Sequence, residues 1–162
     1  MELKFKVQTK ISKPVEEVFD AVYNPKKLSG YFTNGGASAP LDEGTTVQWT
    51  FADAPGKEVT VPVKVQRMER NRLIQFQWSA SEGIYDPKTG EYPTPAPYSN
   101  TVEMTFESLG KNQTLLSIVE GTWRSTPGGL NGSYQNCQGW TQMSSCLKAY
   151  LEYGIDLRKG AF

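Results

Sequence analysis

The sequence predicts an α+β fold in which an antiparallel sheet of consecutive hairpins is followed by one long C-terminal helix. Three observations predict it. Residues 3–11 alternate strictly between apolar and polar side chains. Five further runs, about 45–51, 58–68, 72–78, 98–108 and 113–121, show strand character, most with the same period of two. The last stretch instead repeats at spacings of three and four, through Trp140, Met143, Leu147, Tyr150, Leu151 and Gly154.

The first strand sets Leu3, Phe5, Val7, Thr9 and Ile11 against Lys4, Lys6, Gln8 and Lys10, one dry face and one wet. Ser12 offers an N-cap for a helix with Pro14 in its first turn and Val15, Val18, Phe19 and Val22 as its apolar stripe. That helix stops at Asn24-Pro25, because proline disfavours helical geometry in the residue before it. A second short helix is expected over about Lys26 to Tyr31, and Gly35-Gly36 and Pro40 mark loop. Val47, Trp49 and Phe51 share a face of the next strand. Val59, Val61, Val63 and Val65 share a face of the one after, where Pro62 predicts an edge position or a bulge. Ile74, Phe76 and Trp78 line the fourth strand. A long insertion from Ser79 to Pro97 carries Pro87, Pro93, Pro95 and Pro97. Two strands joined by Gly110-Lys111-Asn112 precede the terminal helix, expected to start near Asn131.

The chain has 162 residues, with no internal repeat and no linker, and reads as one domain over 1–162. Its 17 basic and 17 acidic side chains balance, which argues against a partner with a phosphate backbone, since nucleic-acid binders need a basic surface to displace counterions. No run of residues has signal-peptide character or approaches the roughly 20 apolar residues that span a bilayer. A cytoplasmic protein with no membrane insertion is therefore predicted. Cys137 and Cys146 lie on opposite faces of the expected helix and should not pair. The sequence has no histidine, which excludes Ser-His-Asp and Cys-His catalysis and histidine-bearing metal sites. No metal and no cofactor are predicted.

The segments ISKPVEEVFDAVYNP, LLSIVEGTW and GWTQMSSCLKAYLEYG, taken with the element order, resemble the activator-of-Hsp90-ATPase-like branch of the START/Bet v 1 superfamily. The resemblance implies a helix-grip fold, a curved antiparallel sheet of six to seven strands wrapped around the last helix. A family sheet of seven would need one strand beyond the six read above. The resemblance also implies a cavity between sheet and helix. Eukaryotic Hsp90 activators carry an additional N-terminal domain, whereas this sequence opens on the grip strand. Several relatives carry histidine where this chain has Glu120.

The candidate site residues follow from the patterns. Trp49, Phe51, Phe76 and Trp78 form an unusually bulky apolar wall, which reads either as core or as the lining of a lipophilic pocket. Met104, on the 98–108 strand, joins the candidate lining. Strand alternation puts Leu116, Ile118 and Glu120 on one face. If that face is inward, burial would raise the Glu120 pKa and make it a weak candidate for an acid or base. In the other register Leu115, Ser117 and Val119 point inward and Glu120 is solvated, or paired with Arg124. The polar start of the last helix, Tyr134, Gln135, Asn136 and Gln138, either orients a ligand's polar end or is a solvated helix end. Gly139 would let the helix backbone approach the sheet or a ligand closely. The 79–97 loop, with Tyr85, Tyr92 and Tyr98, is a candidate lid. The leading expectation is a protein that binds a small apolar molecule. Its rivals are a chaperone-accessory module with a protein partner and a cyclase- or hydratase-like enzyme using Glu120.

Overall fold

The computed structural model describes residues 1–161. The elements run β1 (Leu3–Ile11), α1 (Val15–Tyr23), α2 (Pro25–Leu28), β2 (Gly36–Ala37), β3 (Thr46–Phe51), β4 (Val59–Glu69), β5 (Leu73–Ser81), β6 (Pro95–Gly110), β7 (Gln113–Trp123) and α3 (Pro127–Tyr153). The strands make a seven-stranded curved sheet in the order β1-β7-β6-β5-β4-β3-β2, antiparallel throughout. β1 closes onto β7, and the long helix α3 lies across the inner face. This is the helix-grip arrangement.

The seventh strand is β2, in a stretch that reads as loop in the sequence. It is two residues long and pairs Gly36 with Thr50 and Ala37 with Trp49. No side-chain period is visible over two residues. Gly35, just before it, has a packing reason, since a Cβ there would sit 2.5 Å from Thr50 Cγ2, and Gly36 has a conformational one, its φ of +113°.

Four helix boundaries differ from the sequence expectation. Ser12 does not cap α1; Pro14 occupies that position with no side-chain cap, and its carbonyl takes the Glu17 and Val18 N–H groups. Asn24 ends α1 and caps α2, its Oδ1 accepting from Lys26 N at 3.0 Å, so α2 starts and stops earlier than expected. α3 begins at Pro127, where Thr126 Oγ1 accepts from Gly129 N at 3.1 Å. Its Thr-Pro start is a sound capping signal, hidden in the sequence by two glycines of low helix propensity. Gly154 lies outside the apolar stripe: it is the left-handed C-cap, with φ 67°.

The core fills the space between the sheet's inner face, α1, α2 and α3. Trp49, Phe76, Met104, Leu116, Ile118 and Leu147 are fully buried in it. The odd-even question on β7 resolves with Leu116, Ile118 and Glu120 all at 0% exposure. Cys137 and Cys146 are both free. Among the described residues, no helix is long and apolar enough to cross a membrane, and no group of three or more acidic, histidine or cysteine residues is placed to hold a metal ion.

Candidate functional site

The sheet splits at one end, and the split makes the site. β4 pairs with β5 only from Lys64, opposite Gln77. Before that point, Val59 to Val63 pair with β3 alone, while Trp78 and the residues after it pair with β6 alone. Pro62 thus lies on a locally unpaired edge of an interior strand, where its missing N–H costs nothing. The two diverging strands leave a gap. The β5–β6 loop, residues 82–94, and the first half of α3 cover it. The resulting pocket has a volume of about 700 Å³.

Its lining is rich in rings. Val59 and Val61 form one side; Phe32, Phe51, Trp78 and Trp140 form the inner wall; Tyr85 and Tyr92 come from the loop, their rings 4.8 Å apart. Trp78 and Trp140 stack at 5.3 Å with 29° between planes. α3 contributes Gln135, Asn136, Gly139 and Gln142 besides Trp140. Gly139 faces open space, with no atom within 4 Å of a Cβ built on it.

Behind the indoles sits Glu120, enclosed by donors. Trp78 Nε1 donates to Oε1 at 2.7 Å and Trp140 Nε1 donates to Oε2 at 2.6 Å. Asn136 Nδ2 donates to both oxygens, at 3.1 and 3.3 Å, and Asn100 Nδ2 to Oε1 at 3.3 Å. Burial pushes the Glu120 pKa up to about 7, against the opposing pull of these hydrogen bonds. Both indole N–H groups are consumed inside the protein, so the rings present carbon to the pocket. A general acid or base has to reach its substrate's proton; Glu120 is not itself in the pocket lining, and its oxygens are taken by Asn100 and by Trp78, Asn136 and Trp140, which stand between it and the pocket.

A second polar cluster ties the rim. Arg158, beyond the end of α3, donates from Nε and Nη2 to the two Asp53 oxygens at 2.9 and 2.6 Å. Tyr92 Oη donates to the same carboxylate, and Asn34 Nδ2 does so at 2.8 Å. Burial acts to raise the Asp53 pKa, but the hydrogen bonds from Arg158, Tyr92 and Asn34 outweigh it and hold the carboxyl below its ordinary range. The Arg158 guanidinium also lies 5.3 Å from the Phe51 ring centre. The loop is further held by Gln135 Oε1, which accepts from Tyr85 N at 3.1 Å. Asp53→Ala is expected to cost about 2 kcal/mol in urea unfolding and to speed amide hydrogen exchange selectively over residues 82–94. Unchanged exchange in that loop would show that Asp53 does not hold it.

The sequence-derived candidates divide accordingly. Phe51 and Trp78 line the pocket. Trp49, Phe76 and Met104 lie behind it in the core, with no exposed surface. Trp49 and Phe76 support the lining through edge contacts to Trp78 at 6.1 and 5.6 Å. Tyr134 is 66% exposed, Gln138 is also exposed, and neither reaches the pocket. Their neighbours Gln135, Asn136 and Gly139 do. At about 100° per residue, a helix turns 134 and 138 away when it turns 136, 139 and 140 inward. Asp53 and Arg158 have no sequence signal. They are separated by 105 residues.

The profile of the family described as "Activator of Hsp90 ATPase homolog 1-like protein" matches residues 12–152. No curated protein matches the chain in sequence. Among solved structures, a protein from Staphylococcus saprophyticus is similar, with 22% identity, TM-score 0.74 and 96% of each chain covered. A protein from Mesorhizobium loti is similar at 17% identity and TM-score 0.70, covering 93% of this chain and 97% of that one. The Aha1 dimer from Colwellia psychrerythraea is similar at 18% identity and TM-score 0.67, covering 94% of this chain and 98% of that one. The TM-scores show a shared fold.

Proposed function

The chain belongs to the activator of Hsp90 ATPase homolog 1-like family, and on that premise we propose that it acts as a single domain binding one small lipophilic molecule in the pocket between the split sheet, the β5–β6 loop and α3. The carrying observation is the pocket itself: about 700 Å³ of space walled by rings, with both indole N–H groups satisfied internally. Sites of this size and lining take ligands of drug-like dimensions. Phe32, Phe51, Trp78 and Trp140 supply apolar area, each buried ring contributing on the order of 2 kcal/mol. Gln135, Gln142 and the Asp53–Arg158 rim supply orientation. The lid is anchored by side chains rather than by sheet pairing, so it can open without loss of the ladder.

Gly139→Leu tests this reading. Its side chain enters open space in the pocket rather than a packed neighbour. The variant is expected to fold, and to bind an uncharged fluorescent lipophile such as N-phenyl-1-naphthylamine at least about tenfold more weakly than the parent, a loss of about 1.4 kcal/mol. Native mass spectrometry of freshly purified parent protein should show non-covalent mass that the variant lacks. Equal probe affinity in the two proteins would remove the pocket as the binding site.

A further inference from the structure

We infer that the pocket selects a positively charged lipophile, an apolar body carrying one ammonium group seated over the faces of Trp78 and Trp140. This deepens the ligand-binding reading and rests on it.

Charge is the first argument. The Glu120 carboxylate has 0% exposure and is bonded by neutral donors, and among the described residues it makes no ion pair. The cations that line the pocket are matched locally: Arg158 to Asp53 at 2.6 Å and Lys57 to Glu91 at 3.7 Å. Glu58 also lines the pocket and makes no ion pair among the described residues. The uncancelled charge at this site is therefore negative. A low-dielectric wall keeps such a field unscreened.

Geometry is the second. Trp78 and Trp140 lie between the buried carboxylate and the pocket, and each gives its N–H to that carboxylate. Donation to an anion pushes electron density onto the indole ring. It deepens the negative potential of the face that a cation meets. An anionic ligand would meet the same field as repulsion. A neutral one would gain only area.

The test uses decyltrimethylammonium and its neutral carbon isostere, both below micelle-forming concentrations, titrated against the full chain at pH about 8. The ammonium probe is expected to bind about tenfold more tightly. In Glu120→Gln the ratio should fall several-fold, the indole faces and Glu58 remaining, and an unchanged ratio would overturn the part assigned to Glu120. Equal affinities in the parent protein would overturn the charge selection and leave the lipophilic pocket standing. Binding of neither probe would overturn both.

A pH series needs no variant and keeps the inference testable where Glu120→Gln folds poorly. The probe's charge is permanent, so the protein alone titrates. The groups around Glu120 on β5, β6 and α3 are Trp78, Asn100, Asn136 and Trp140, and its β1 neighbour is Phe5; none of them titrates. Around the pocket, Asp53 is held ionised by Arg158, and burial keeps Tyr85 and Tyr92 neutral. Lys57, Glu58 and Glu91 are the other charged groups facing it. With Glu120 titrating at about 7, ammonium affinity should rise several-fold between pH about 6 and about 8, and isostere affinity should not. A ratio that stays flat with pH would overturn the inference.

Discussion

Gly132→Ala is expected to lower the unfolding free energy by about 3 kcal/mol. An added Cβ would lie 2.0 Å from the Ser81 carbonyl oxygen and 3.1 Å from Trp123 Nε1. The first is strand backbone and the second belongs to a buried indole, and neither can swing aside like an exposed side chain. The helix would have to lift from β5 and β7. Gly132, Asn136 and Trp140 follow one another at intervals of one turn, on the same face of α3. Lifting α3 at Gly132 therefore also pulls Asn136 and Trp140 from Glu120. Gly139→Ala in the same helix is the matched control. Nothing lies within 4 Å of its Cβ, and alanine should stabilise the helix there by about 1 kcal/mol. Urea unfolding of the two variants should thus give shifts of opposite sign. Shifts of the same sign and size would mean that the close approach at Gly132 is not what seats the helix.

The second large effect is in pH dependence. The Glu120 carboxyl rises from 4.5 to about 7 on folding. Between those values the folded protein holds a proton that the unfolded chain has released. Folding stability contributed by this group is therefore fully present below about 4.5 and is lost as pH rises through about 7, by about 3 kcal/mol in total. Glu120→Gln removes that slope. Asp53 and Glu152, whose pKa values are lowered, give slopes of the opposite sign, but these are common to both proteins and cancel in the difference. The difference in unfolding free energy between parent and Glu120→Gln should shift steadily against the parent from pH about 5 to about 8. Parallel curves across that range would show that Glu120 is not titrating there. The neutral acid needs an acceptor for its proton. Asn100 Oδ1 is buried without a partner, and a half-turn of that amide would present it to Glu120.

Most of the frame was legible because it rests on local periodicity. The alternation on β1, β3, β4 and β5 matches the observed inward faces, and the stripe of Trp140, Met143 and Leu147 is the buried face of α3. β2 was not legible, because two residues carry no period and its strand character comes wholly from pairing with Thr50 and Trp49. The site was partly legible. A run of inward aromatics marks a wall, but the pattern of Trp49, Phe51, Phe76 and Trp78 is the same whether a ring meets another ring or empty space.

The sequence by itself determined the element order, the faces of the strands and the chemical types present, because burial imposes a period of two on a strand and of 3.6 on a helix. Only the tertiary structure decided where the pocket lies. That depends on β4 and β5 parting beyond Lys64 and Gln77, a matter of long-range register. It also decided that Glu120 faces inward to Trp78, Asn100, Asn136 and Trp140, partners 16 to 42 residues away, and that Asp53 meets Arg158 across 105 residues. Hydrogen bonds between segments so far apart leave no trace in local pattern, because the chain brings their ends together only when the core closes.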